Sequence, residues 1–141
     1  MRLTSFTDFG LRALMRLAGE PERTFSTDEI ATEFKISRNH LTKVVQALAA
    51  TGLVVTRKGV GGGFKLARDS DCITLGEVVR LLEAEQALVE CFRADGGNCV
   101  ITPSCRLKGR LVAARNAFLA ELDRTSLAEC AYYPTKKVAK R

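Results

Sequence analysis

The sequence predicts a mainly α-helical chain with one small β-hairpin, arranged as a helix-turn-helix, a wing and a long helix. Three observations carry that reading. Two short helical stretches are separated only by Lys35-Ile36-Ser37, the spacing of a helix-turn-helix. Directly afterwards the hydrophobic period changes from helical to strand-like around Arg57-Lys58-Gly59-Val60-Gly61-Gly62-Gly63, which marks a hairpin with a basic, glycine-rich tip. A long amphipathic stretch at 105–123 follows a loop containing Gly96, Gly97 and Pro103.

Residues 4–18 form the first predicted helix, with Leu3, Phe6, Leu11, Leu14, Leu17 and Ala18 as its apolar stripe. Gly19 and Pro21 stop it. Ser26-Thr27-Asp28-Glu29 is a capping box: serine and glutamate each satisfy the other's free backbone donor. It opens a helix carrying Ile30, Ala31 and Phe34. Ser37 caps the next helix, whose buried face is Leu41, Val44, Val45 and Leu48 and which Gly52 ends. Leu53–Thr56 and Phe64–Leu66 are the wing strands. Thr74 and Glu77 are expected to form a second capping box, opening a helix through Val78, Val79, Leu81 and Leu82.

Residues 84–104 read as a loop, and the helix at 105–123 presents Leu107, Leu111, Ala114, Phe118 and Leu122 on one face. Thr125 is expected to cap a last short turn, and the tail PTKKVAKR to fray. The expected division is a winged helix-turn-helix domain over 1–83, a loop over 84–105, the long helix with a short terminal helix over 106–130, and a flexible tail over 131–141.

The 141 residues suit one domain with a helical arm, and 46% hydrophobic with 27% charged residues is a globular balance. No apolar run reaches membrane-span length. The N-terminal MRLTSFTDFGLRAL carries charges through its apolar part, unlike a signal peptide. A cytoplasmic location is therefore expected, where thiols stay reduced. The net charge is +6. Residues 1–70 hold eleven Lys/Arg against seven Asp/Glu, so the excess leans toward the helix-turn-helix and favours a nucleic-acid partner. A single histidine, no acid pair beside a nucleophile and no cofactor fingerprint argue against an enzyme. The glycine run lacks the lysine and hydroxyl of a phosphate-binding loop and leads into a strand, which excludes nucleotide binding.

Ser37, Arg38, Asn39, His40 and Lys43 occupy the start and exposed face of the second helix of the pair, the part that meets base edges in the major groove. Arg pairs with guanine and Asn with adenine, while Ser and Lys suit phosphates. His40 reads as a DNA-contacting or surface residue rather than a metal ligand. Arg57, Lys58 and Gly59 on the wing are placed for phosphates or an adjacent minor groove. Solvated charge is the plain reading of any one of these residues; helix-turn-helix, wing and basic excess together favour double-stranded DNA.

Cys91, Cys99 and Cys105 follow the spacing C-x7-C-x5-C. One disulfide would leave a thiol over, and the tight knuckle of structural zinc is absent. Three thiolates over a glycine-containing loop suit an iron–sulfur cluster, and the start of the long helix at Cys105 favours its negative charge. Unpartnered loop thiols, or a cluster-free redox switch, are the competing readings. Iron sites take four ligands, and spacing does not choose the fourth among the sixteen acids. Cys72 and Cys130 are expected to be buried small hydrophobes.

The N-terminal MRLTSFTDFGLRAL, the ISRNHLTKVV helix, the RKGVGGGFKL wing and the CVITPSCRLK stretch together resemble the winged-helix iron–sulfur regulators, the family that contains IscR, and within it the nitric-oxide-sensing repressors. The similarity covers nearly all of residues 1–130. It implies a homodimer crossed over through the long helix, a palindromic operator, and one cluster per subunit, [4Fe–4S] first and [2Fe–2S] second. It implies Cys91, Cys99 and Cys105 as ligands, with Asp8 of a second subunit as the fourth. Cluster nitrosylation would then release the operator and derepress nitric oxide detoxification genes. Members resembling IscR place a histidine shortly after the third cysteine; here Lys108 stands in that region. The Arg93–Gly97 insertion loosens the first cysteine spacing. An iron- or cluster-status sensor of the same fold is the nearest alternative.

Overall fold

The computed structural model describes residues 2–134; most of the expected frayed tail, 135–141, lies outside the described residues. Seven principal elements follow in order: α1 (Ser5–Gly19), α2 (Thr27–Phe34), α3 (Arg38–Ala50), β1 (Val54–Arg57), β2 (Gly63–Leu66), α4 (Leu75–Leu82) and α5 (Arg106–Leu122). Single 3-10 turns lie at Ser70–Cys72, Glu90–Phe92, Thr102–Ser104 and Ala128–Cys130.

The helix starts are set by hydroxyls. Thr4 caps α1, accepting from the Thr7 amide at 3.2 Å. Ser26 and Glu29 make both halves of the expected box, each at 3.1 Å. Lys35, at φ 55, ends α2 in the left-handed conformation. The Ile36 amide then donates back to the Ala31 carbonyl at 2.9 Å, a bond from the sixth residue to the first that folds the chain sharply. This turn sends buried Ile36 into the core and leaves Ser37 to cap α3, accepting from the His40 amide at 3.4 Å.

The core lies between α1, α2, α3 and the wing. Leu14, Leu17, Ile30, Leu41, Val44, Leu48 and Leu53 are fully buried, with Phe25 and Phe64 closing its wing side. Each such side chain contributes on the order of 2 kcal/mol relative to exposure. The hairpin is antiparallel, with Val54 opposite Leu66 and Arg57 opposite Gly63. Arg57 therefore ends a strand, one position before the loop. A third rung joins it: Phe25 and Phe64 exchange both backbone hydrogen bonds, at 2.9 and 2.8 Å. Gly63 makes that rung possible. At φ 147, a Cβ there would meet the Phe25 carbonyl oxygen at 2.1 Å.

Several expected details differ. Thr74 caps α4 through the Glu77 amide at 3.1 Å, but the Glu77 carboxylate turns instead to Arg68, at 2.5 Å. The box is thus half made, because a cationic partner outcompetes a backbone amide. The C-terminal turn is capped by Ser126, not Thr125: Ser126 and Glu129 bond reciprocally at 2.7 and 3.3 Å. The Thr125 carbonyl is occupied by the Leu75 amide. Cys72 is exposed and Cys130 partly so. Tyr132, within the tail expected to be flexible, donates its amide to the Met15 carbonyl at 2.9 Å, while Leu127 is fully buried.

Two polar nodes position the second half of the chain. Arg80 holds Asp123 through two bonds of 2.7 and 2.6 Å, and Thr74 adds a third at 3.1 Å. The Arg80 guanidinium keeps the Asp123 carboxyl below its ordinary range. Gly76 permits the approach, since a Cβ there would lie 2.0 Å from the Asp123 carboxylate. At the other end of α4, Glu83 accepts from the Thr4 amide at 2.9 Å, the Thr4 hydroxyl at 2.8 Å and the buried Thr7 hydroxyl. The stripe of α5 is not used in this way: none of its residues is buried among the described residues, and Leu107 is 62% exposed.

Burial pushes the Glu83 carboxyl up, but the hydrogen bonds from Thr7 and Thr4 outweigh it and hold the group below its ordinary value of 4.5. A depressed folded value stabilises above the unfolded one and is lost as pH falls through the folded one. Glu83→Gln is thus expected to cost about 1 kcal/mol at neutral pH, with the gap from wild type closing on acidification below 4.5. Urea melts across pH measure it; a gap constant down to full protonation would refute the assignment. Gly63→Ala, which drives a Cβ into the Phe25 carbonyl, should lower stability by about 2–4 kcal/mol in the same melts; an unchanged midpoint would show that the third rung is dispensable.

Candidate nucleic-acid interface and cysteine loop

The first turn of α3 projects from the core because its opposite face, Leu41, Val44, Val45 and Leu48, is buried. Arg38, Asn39 and Lys43 are all exposed. Arg38 pairs with Asp28 of α2 at 2.9 Å, but the two side chains are 70% and 65% exposed. An exposed pair of this kind is worth well under about 1 kcal/mol, so Arg38 is readily exchanged onto another acceptor. Ser37 spends its hydroxyl on the cap, and that cap orients Asn39 and Lys43.

His40 stands apart from its neighbours. Its ring packs edge-on against Phe9 at 4.9 Å and lies 6.5 Å from Phe6, so the structure joins α3 to α1 through it. Asp8, immediately before Phe9, is bound by Arg12 one turn on, at 3.1 and 2.6 Å. Both side chains are nearly half exposed. Asp8 and His40 thus sit on either side of one α1–α3 contact.

The wing tip is shaped by its glycines. Lys58 and Gly59 are exposed, and Gly59, Gly61 and Gly63 all have positive φ. The Gly62 amide donates to the Gly59 carbonyl at 3.0 Å, closing a turn at the apex.

The cysteine loop is a chain of small local devices. Cys91 lies in the turn Glu90–Phe92 and Cys105 immediately precedes α5. The Glu90 carboxylate accepts from the Asn98 amide at 2.8 Å, tying the neighbour of Cys91 to the neighbour of Cys99. Gly97 allows that closure, since a Cβ there would fall 2.6 Å from Glu90. Beyond it, the Thr102 amide donates to the Cys99 carbonyl at 3.3 Å, and the Cys105 amide to the Thr102 carbonyl at 3.4 Å. Arg115 of α5 covers the Phe92 ring at 4.9 Å. The loop is therefore folded against the helix that follows it.

All three thiols are free and partly exposed, and Cys105 makes no side-chain capping bond to α5. Among the described residues no three His, Cys, Asp or Glu side chains converge into a metal-holding group. The donor set nevertheless fits a thiophilic cluster: three uncommitted sulfurs, joined by short hydrogen-bonded steps. The Thr102 hydroxyl, between Cys99 and Cys105 in sequence, is buried without a hydrogen-bond partner. Arg106, Lys108 and Arg110 bring positive charge to the start of α5, and no acid lies in its first turn.

The sequence motifs singled out the thiols and the reading helix. They did not single out Glu83, Glu90, Thr102 or the His40–Phe9 contact, which arise from pairings without a local motif.

Residues 3–132 match the Rrf2 family, described as iron-dependent transcriptional regulators. The chain is 45% identical over 128 residues to an HTH-type transcriptional regulator NsrR of Bacillus subtilis, covering 90% of this chain and 88% of that protein. It is 44% identical over 124 residues to the same-named regulator of Shouchella clausii, covering 87% and 83%. Among solved structures it is similar to CymR (YrzC), the global cysteine regulator of B. subtilis, with a TM-score of 0.74 and 29% identity over 95% of this chain and 98% of that one. Winged-helix fold and family match agree: the chain belongs to the Rrf2 family of transcription regulators.

Proposed function

We propose that this chain is a repressor that binds a palindromic operator as a homodimer, carries one iron–sulfur cluster per subunit, and releases DNA in response to nitric oxide. The observation that carries this reading is the loop of three free cysteines, hydrogen-bonded step by step into the start of α5 and committed to no disulfide or cap. The kinship with regulators named NsrR supports it.

Cys91, Cys99 and Cys105 hold the cluster, [4Fe–4S] in preference to [2Fe–2S], and Asp8 of a second copy supplies the fourth ligand. When bound, the cluster supplies iron to which nitric oxide binds. The chain's own residues do the rest. Asp8 becomes available by leaving Arg12, at the small cost of an exposed ion pair. The end of α5 that carries exposed Leu107 is the surface through which two copies meet. Dimer symmetry then sets two α3 helices at the spacing of two half-sites. A change at Asp8 reaches α3 through the adjacent Phe9, whose ring packs on the His40 ring. Arg38 and Asn39 read bases, and Lys43, Arg57 and Lys58 hold phosphates.

Asp8→Ala, reconstituted anaerobically, is expected to show an altered cluster absorbance and an altered nitric oxide response, with its melting temperature near wild type. A wild-type spectrum and response in that variant would remove Asp8 from the ligand set. Intact-mass measurement of the anaerobic wild type should give the mass of a [4Fe–4S] cluster on each chain; a [2Fe–2S] mass favours an iron- or cluster-status sensor, and a colourless protein switched by reductant alone favours a thiol switch. His40→Ala should keep the cluster absorbance while weakening operator binding about tenfold, read by anisotropy at fixed salt. Unchanged affinity would show that the α1–α3 contact carries nothing.

A further inference from the structure

Val60 is the most exposed large apolar residue of the wing, at 107% of the reference value. It stands between Lys58-Gly59 and Gly61-Gly62, so the basic tip ends in a hydrocarbon. Exposed apolar residues are common on surfaces and need no explanation singly. This one is held in place by four independent features. The Gly62 amide closes on the Gly59 carbonyl at 3.0 Å with Gly61 at φ 72, so Val60 occupies the second position of a type II-like turn, at the apex. A Cβ on Gly62 would meet the Arg57 carbonyl at 2.3 Å, so the loop is packed on its own backbone. Gly63 is fixed against the Phe25 carbonyl. Valine itself, branched at Cβ, has a stiff side chain.

A rigid apolar tip flanked by cations is the form of a minor-groove probe. The groove is about 6 Å wide, wide enough for one turn apex and not for a helix. Set into that groove, Lys58 and Arg57 would be within reach of its phosphates and the valine methyls would meet its floor. A·T pairs show only acceptors there, whereas guanine adds an amino group, which valine would strip of water without replacing a hydrogen bond. Resting on the DNA-binding reading above, we infer that Val60 is a specificity residue of the wing that favours A·T pairs in the minor groove beside each major-groove half-site.

The test uses the full chain and a duplex enriched by the wild type from randomised double-stranded DNA. Base pairs flanking the half-sites are replaced by inosine·cytosine, which lacks the guanine amino group, or by G·C. Wild type is expected to enrich A·T at those positions, to tolerate inosine·cytosine, and to lose about fivefold in affinity with G·C. Val60→Ser should bind all three duplexes within about twofold of one another, whereas Lys58→Ala should weaken all three alike. Absence of A·T enrichment, equal discrimination by Val60→Ser, or loss on inosine·cytosine equal to that on G·C overturns the inference while leaving DNA binding intact. If the wild type enriches no duplex at all, the DNA-binding reading fails and the inference fails with it. Val60 buries nothing in the fold, so Val60→Ser should melt as wild type does; a lowered melting temperature would contradict its freedom from structural duty.

Discussion

The Glu83 carboxylate is the constraint on which the arrangement of functional parts depends. It sits at the end of α4, just before the cysteine loop, and accepts three hydrogen bonds from the first turn of α1. It does two things at once. It satisfies the Thr4 amide and the buried Thr7 hydroxyl, and it places negative charge at the positive end of α1. Nearby, Gly10 lets α1 approach α4 closely, since a Cβ there would lie 2.6 Å from a Leu82 methyl. The loop is thereby anchored to the helix that bears Asp8.

The same helix packs against α3 from its other side. Phe9 and Phe6 pack against His40 in the first turn of α3, and Leu14 and Leu17 share the core with Leu41 and Leu48. Close-packed interiors transmit displacement instead of absorbing it. A shift of the first turn of α1 therefore has a short physical route to Asn39 and Arg38. The second node, Arg80 and Thr74 on Asp123, fixes where α5 leaves the domain. It leaves Leu107 and Ala114 of the stripe exposed while Leu111, Phe118 and Leu122 are half-buried.

What was legible in the sequence was what is local. Ser26 with Glu29, and Ser37, are caps whose partners lie three residues away, and both form. Leu41, Val44, Val45 and Leu48 follow one helical face and are buried. The cysteines announce themselves by type and spacing. A nearby motif yields to a stronger partner further off in the chain at Glu77, which has the spacing of a capping box but turns to Arg68. Two local solutions compete at the C-terminal turn, where Ser126 takes the cap expected of Thr125 while Leu75 holds the Thr125 carbonyl. Cys72 looked apolar beside Ile73, yet the 3-10 turn through Ser70–Cys72 carries it outward while Ile73 goes in. Glu83 and His40 make contacts across dozens of residues, and no periodicity marks them.

The central claim is that the cysteine loop and the DNA-reading helix form one linked system responsive to nitric oxide. It is tested most directly by an anaerobic titration of cluster-loaded protein with nitric oxide, following cluster absorbance and operator affinity in the same sample. The account predicts that both fall together over the same range of added nitric oxide. Complete bleaching of the absorbance with operator affinity unchanged would contradict it.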